Sequence, residues 1–342
     1  MSISAVARPF VFLVTLLLAV TLHAAPQKFA FEKAEMGIRF TITLFAESEG
    51  IAKAAADGAF ARIAELNHIF SDYEDDSELS LLSRTSGTGK KVPVSPELWL
   101  VLNRARQMAE RTGGAFDPTC GPLTAAWRRA RRKNELPSPA LVEELRARCG
   151  WQKLRLDPET KTAELLTPEM RLDLGAIAKG YACDQALKLL RERGHPIALV
   201  AGAGDMAAGD PPPDRKGWRI SIDPLDAEGG APVPATAVVE IANCAIATSG
   251  DRYQRLQIGD KRYSHILDLR AGQPLSDHSL VTVIAPDCMT ADALSTALSA
   301  IGPKDGPALA AEKNAVARWQ REPANTVEIT ATPGWEKWEV NP

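Results

Sequence analysis

An aspartate and a threonine one helical turn apart carry the sharpest chemical signal in this sequence. In Thr290-Ala-Asp-Ala-Leu-Ser-Thr-Ala-Leu298 a helical pattern begins, and Asp292 and Thr296 fall on one face at i and i+4. A carboxylate and a hydroxyl so placed can both point at one small hard cation such as Mg²⁺. Alone, Asp292 is equally a cap or first-turn residue that favours the helix dipole. Lys179 is the second candidate, in Arg171-Leu-Asp-Leu-Gly-Ala-Ile-Ala-Lys-Gly-Tyr-Ala-Cys-Asp184. That segment reads as a strand, a tight turn between Gly175 and Gly180, and a helix through Leu187, Leu189 and Leu190. A helix start with one basic side chain can hold phosphate, and the same glycines also serve an ordinary strand-to-helix turn. The segment is neither a Walker motif nor a dinucleotide fingerprint. His265, central in the strand-like Lys261-Arg-Tyr-Ser-His-Ile-Leu-Asp-Leu-Arg270, is a base or orienting group for an incoming hydroxyl, or a structural histidine. Together these pieces would make a pyrophosphate site, with Mg²⁺ offsetting negative charge and Lys179 adding a point charge.

Other candidates are less sharply defined. Tyr73 is the single aromatic in the polar run Ser71-Asp-Tyr-Glu-Asp-Asp-Ser-Glu-Leu-Ser80, where it is a stray loop side chain or lies over a planar ligand. Asp117 sits in Gly113-Gly-Ala-Phe-Asp-Pro-Thr-Cys-Gly-Pro-Leu123, whose density of Gly and Pro indicates a backbone being placed rather than merely connected. A glycosidase pair from Asp117 and Asp173 draws little support from the glycine and lysine features. Ser249, in Thr-Ser-Gly-Asp, lacks the elbow of a serine hydrolase.

The elements that must position these groups alternate throughout. Residues 29–46 read as a strand entered through Met36-Gly37, and Glu49–Phe70 as a helix with apolar Ala56, Phe60, Ile63, Leu66 and Phe70. Helices are expected over 97–112, 123–132, 139–148 and 181–193, and hairpin strands over 153–156 and 162–166. Further strands are expected over 195–200, 218–223, 236–240, 280–285, 315–319 and 326–330, with a turn at 228–234 and with Trp335 and Trp338 covering an exposed edge. This mixture implies an α+β fold of intertwined layers.

Residues 1–25 have the layout of a secretory leader: Arg8, an apolar core over 10–22, then Ala24 and Ala25. That core is shorter than the roughly 20 residues a membrane span needs. A soluble exported protein is expected, with residues 26–342 as one catalytic domain, either undivided or as two subdomains with the site between them. The net charge of −3 gives no electrostatic case for nucleic acid, and Arg128, Arg129, Arg131, Arg132 and Lys133 read as a solvated run at a helix end. Five cysteines without a C-x-x-C pair give no zinc pattern; an oxidising compartment would allow one or two disulfides, which a chain of this size does not need.

Six motifs in order make the chain recognisable: the Ser71–Ser80 run, Gly-Gly-Ala-Phe-Asp-Pro-Thr, Leu-Asp-Leu-Gly-Ala-Ile-Ala-Lys-Gly-Tyr, Ala-Thr-Ser-Gly-Asp, Tyr-Ser-His-Ile-Leu-Asp and Ala-Asp-Ala-Leu-Ser-Thr-Ala. The sequence resembles the ApbE family of FAD:protein FMN transferases. The resemblance implies Mg²⁺-dependent transfer of FMN from FAD to a Thr or Ser hydroxyl of an exported or membrane-associated redox protein bearing a Ser/Thr-Gly-Ala-Thr-like sequence, with release of AMP. Membrane contact would come only through that target. On the same analogy Met36, Tyr73, Ala115, Phe116, Asp117, Asp173, Lys179 and Ile266 would line FAD. The metal would be held by the Ala176 carbonyl, the Asp292 carboxylate, the Ser295 backbone and the Thr296 hydroxyl, with His265 on the acceptor side. Water in place of the acceptor would make the chain an FAD pyrophosphatase, and absence of turnover would make it a periplasmic flavin-binding protein. Three departures stand out: Gly-Ala-Ile replaces the family's Gly-Gly-Ile, Ala201-Gly-Ala-Gly-Asp205 replaces its Gly-Gly-Asp, and Asp268-Leu replaces its Asp-Pro. No lipobox cysteine follows the leader, so the expected location is the periplasm without a lipid anchor.

Overall fold

The computed structural model describes residues 25–225, 236–251, 255–258, 261–276, 278–322 and 326–341. The expected leader, apart from Ala25, and the expected turn at 228–234 lie outside them. The architecture is α+β. An eight-stranded sheet runs, neighbour to neighbour, Gln27–Glu35, Ile38–Ala46, Ala198–Gly202, Asp205–Ala208, Ala245–Gly250, Ser279–Ala285, Val316–Arg321 and Glu328–Ala331. Every adjacent pair is antiparallel, and spatial order follows chain order.

The single strand expected over 29–46 is a hairpin. Met36 and Gly37 form its two-residue turn with φ of 51° and 72°, the left-handed pair that matches strand twist. Pattern reading joined the two strands because methionine is not a turn former and the outer strand, largely exposed, has no apolar face to announce it.

The helices are α1 (Glu49–Phe70), α2 (Glu78–Ser83), α3 (Pro96–Arg111), α4 (Gly121–Lys133), α5 (Pro139–Arg148), α6 (Ala178–Glu192), α7 (Cys288–Ile301) and α8 (Gly306–Glu312). Ser48 and Ser95 cap α1 and α3 by accepting the N–H of Ile51 and Leu98. Helix α1 buries Ala52, Ala56, Ala59, Ile63, Leu66 and Phe70 at helical spacing, and its alanines let it lie close to its neighbours. Helices α1, α6 and α7 share one core with one face of the sheet, while Trp218, Ile222, Val239, Ile241 and Trp335 cover the other. Strand Ser279–Ala285 is therefore buried along its whole length: Val281 and Val283 face the helices, and Ile284 the opposite cluster. Each such aliphatic side chain contributes roughly 1.5–3 kcal/mol on burial. Trp335 is itself core, 3 % exposed, rather than a cover for an open edge. All five cysteines are free thiols, and among the described residues no helix is long and apolar enough to cross a membrane.

The strand expected at the start of the 171–184 segment is only an isolated bridge between Arg171 and Cys120. Residues 171–173 run extended because helix ends and a loop hold them: Arg171 O accepts from Gly121 N–H at the start of α4, Leu172 N–H donates to Ser83 Oγ at the end of α2, and Asp173 N–H donates to Pro118 O. Asp292 is likewise not a cap. Asp287 caps α7 by accepting Thr290 N–H at 2.8 Å, which puts Asp292 a turn further in and 1 % exposed.

Candidate active site

One cleft of about 1010 Å³ is lined by Met36, Tyr73, Ala115, Phe116, Asp117, Asp173, Ala176, Lys179, His265, Ile266, Asp292 and Thr296. Its size is at the top of the range for small-molecule sites and has room for a dinucleotide. Ser295 is fully buried behind it.

At one end the cleft is built by α6 and α7. Lys179 Nζ lies 3.2 Å from both carboxylate oxygens of Asp292, 3.1 Å from Asp205 Oδ2, and donates to Gly175 O at 2.8 Å. The Lys179 side chain keeps 23 % of its surface open, yet protein rings its charge centre. Burial works against that charge, but Asp205 and Asp292 outweigh it and hold the ammonium well above the usual lysine range. Burial, with Asp292 alongside, pushes Asp205 up to about 7. Asp205 Oδ2 meets Lys179 as an ion pair but off the line of a hydrogen bond, so it remains an unsaturated buried acceptor. The first-turn N–H of Gly180 donates to Asp292 Oδ2 at 3.0 Å. That helix terminus is therefore committed to a carboxylate rather than open to phosphate. Gly180 is required here, since a Cβ would sit 2.2 Å from Cys288 O and 2.8 Å from Asp292 Cβ.

A chain of hydroxyls continues this end. Ser295 Oγ donates to Asp292 O at 2.9 Å, which uses its only proton. Ser249 Oγ, 2.7 Å away, must then donate to Ser295 Oγ, and Thr296 Oγ1, 3.1 Å from Ser249 Oγ, donates in turn. Thr296 is left with lone pairs and no proton to offer the cleft. A buried carboxylate, that acceptor-only hydroxyl and the unsaturated Asp205 oxygen are hard oxygen donors of the kind Mg²⁺ takes.

The other end is carried by loops and α4. Tyr73 is 72 % exposed, and the Arg128 guanidinium lies 4.6 Å over its ring. Arg128 pairs with Asp72 and, at 2.7 Å, with Asp173 Oδ2. Burial opposes its charge, while Asp173 and Asp72 more than offset that and raise its pKa. Asp173 also accepts Thr124 Oγ1–H at 2.7 Å and Gly175 N–H at 2.8 Å. Arg128 therefore corrects the reading of the basic run as a solvated face. Arg128 and Arg131 line the cleft with Thr124 and Trp127, all on one face of α4. Their spacing of i, i+3, i+4 and i+7 was the available signal.

Asp117 lines the cleft but commits its carboxylate to its own loop and to the turn after α5, accepting Thr119 N–H, Thr119 Oγ1–H and Trp151 N–H at 2.7–2.8 Å. Burial raises its pKa against those bonds. His265 and Ile266 follow the hairpin of Arg255–Ile258 and Lys261–Ser264. That hairpin is anchored through Arg262 to buried Asp251, which also meets His278 Nδ1 at 2.8 Å. Burial opposes ionisation of Asp251, but the His278 and Arg262 bonds keep it below the ordinary carboxylate range. Sequence reasoning does not bring Asp205, Ser249 and Asp72 to the site, because they join it through space rather than through local spacing.

The sequence profile described as the ApbE family matches residues 36–319. A protein of Haemophilus influenzae named FAD:protein FMN transferase is 32 % identical over 262 residues, 75 % of each chain. A Chlamydia muridarum protein of the same name is 31 % identical over 281 residues, covering 81 % of this chain and 85 % of that one. Among solved structures, the flavin transferase ApbE from Vibrio cholerae superposes with a TM-score of 0.81 at 27 % identity, covering 92 % of this chain and 99 % of the other. The apo form of the Pseudomonas stutzeri flavinyl transferase ApbE gives 0.79 at 29 % identity, over 92 % and 97 %. The profile match opens at the Met36 turn on the cleft rim and closes on the buried Trp319 of the central sheet, and on that extent this chain belongs to the ApbE family.

Proposed function

We propose that this chain is an FAD:protein FMN transferase that moves FMN from FAD to a Thr or Ser hydroxyl of a redox protein and releases AMP in an Mg²⁺-dependent reaction. The observation that carries the reading is the polarity of the cleft, with an aromatic–guanidinium platform at one end and a buried hard-oxygen and lysine cluster at the other. Tyr73 and the Ala115–Phe116 backbone would hold ring systems, and Arg128 would fix the platform between Asp72 and Asp173. Lys179 would keep a positive charge beside the pyrophosphate. Mg²⁺, held by Asp292, Thr296 and the main chain of Ala176 and Ser295, would supply further charge stabilisation there.

The acceptor oxygen forms a bond to the flavin-side phosphorus, and its proton passes to His265 as general base. The phosphorus–oxygen bond on the AMP side breaks, and the bridging oxygen leaves with AMP. We read residues 26–342 as one catalytic unit, exported to the periplasm after loss of the 1–25 leader.

Incubating residues 26–342 with FAD, Mg²⁺ and a protein carrying a Ser-Gly-Ala-Thr sequence should add one FMN mass to that protein and release AMP, and a chelator should stop both. Free FMN and AMP with an unmodified acceptor would replace this reading with an FAD pyrophosphatase. Tightly bound FAD without AMP would point to a flavin-binding protein. Amino-terminal sequencing of the periplasmic fraction tests the export.

A further inference from the structure

Resting on the transferase reading, we propose that the acceptor polypeptide docks as an added β-strand on the free edge of Trp218–Ile222. This strand ends a three-stranded sheet in which Ala237–Ile241 lies between it and Glu339–Val340. Glu240 N–H donates to Trp338 O at 2.9 Å. In an antiparallel ladder the backbone groups of successive residues point to opposite sides. Residues 238 and 240 therefore face Glu339–Val340, and residues 237, 239 and 241 face the edge strand. The register pairs those three with Ile222, Ile220 and Trp218. Arg219 and Ser221 are left to direct their N–H and C=O groups outward, where among the described residues no strand pairs with them. Both residues are exposed.

Edge strands of this kind are commonly blunted by charge or proline. The outer strand Gln27–Glu35 carries Lys28, Glu32, Lys33 and Glu35, whereas Trp218–Ile222 carries one charge, Arg219, and no proline. Its position gives the open edge a use. Ile220, Ser221 and Ile222 line the same cleft as Lys179, Asp292 and Thr296. A polypeptide pairing with Arg219 and Ser221 would run along the cleft wall and direct alternate side chains into it, a hydroxyl among them. Main-chain hydrogen bonds would supply affinity with little demand on flanking side chains, the usual division of labour in strand addition.

Residue-resolved amide exchange tests the docking, with the FAD-loaded enzyme measured with and without a saturating short synthetic peptide centred on Ser-Gly-Ala-Thr. The Arg219 and Ser221 amides should slow by about tenfold or more, and the Ile220 amide, already in the ladder, should not change. Flavinylation of the peptide with both amides at their free-enzyme rates would overturn the proposal. Protection of both amides without transfer would uphold the docking and overturn the transferase reading instead. As a second measurement, Ser221→Pro removes an outward N–H without breaking the inner ladder, and should raise the KM for the peptide about tenfold. An unchanged peptide KM would also overturn the proposal.

Discussion

The two ends of the cleft are built on opposite principles. Around Asp292 the polar atoms sit on two packed helices and the sheet strands beneath them with no slack: Asp292 is 1 % exposed, a backbone N–H holds its carboxylate, and Gly180 leaves no room for a methyl group against Cys288. Around Tyr73 the polar atoms sit on a loop and a helix face, and the ring is mostly in solvent with one guanidinium over it. Under the proposed transfer the first end would meet the reacting phosphorus, where small displacements are costly in rate. The second would receive ring systems, which makes a smaller demand on placement.

Substitutions can break or sharpen this contrast. Asp292→Asn keeps the volume and removes the charge, so transfer should fall by about a thousandfold or more with cooperative unfolding retained; steady-state AMP release and a thermal melt read the two parts. Gly180→Ala should cost about 1–3 kcal/mol of stability by forcing α6 from α7, and should weaken Mg²⁺ binding. Denaturant unfolding and metal titration check it, and a fully stable variant with normal metal affinity would undo the claim of rigidity. Arg128→Ala, at the looser end, should raise the KM for FAD about tenfold with only a small change in kcat. A loss of kcat as deep as that of Asp292→Asn would erase the distinction between the ends. Tyr73→Leu should be mildest, with FAD affinity down about two- to fivefold in a direct titration.

Much of this was legible in the sequence for a physical reason: periodicity reports burial. The largely apolar stretch 280–285 reads as a buried strand and is one, and the helix expected over Glu49–Phe70 from its apolar spacing keeps those bounds. Asp292 and Thr296 are legible because helical spacing puts a carboxylate and a hydroxyl on one face, and Lys179 because it is the one basic side chain at a glycine-bracketed helix start. Asp205 was not, since its importance lies in an unsaturated oxygen beside Lys179 that only the meeting of a sheet strand with α6 creates. Ser249 was read only as a poor nucleophile, because its use as a link between Thr296 and Ser295 spans strand and helix. Arg128 was lost in a run of like charges, where composition hides the one member that faces inward.

The central sheet visits its strands in the order the chain supplies them. Among the described residues, most of the cleft wall is then made from segments that leave one strand and return to the next, within 47–197, 209–244, 251–278 and 286–315. Each is a detour whose length can vary without rethreading the sheet, although 47–197 and 286–315 also carry the core helices α1, α6 and α7. The segment 209–244 carries the open edge strand, while 286–315 carries Asp292 and Thr296. If the docking and transferase proposals both hold, acceptor binding and the chemistry performed on it would occupy separate parts of the chain, and exchanging 209–244 for that of another family member would change acceptor affinity while leaving Asp292 and Thr296 in place.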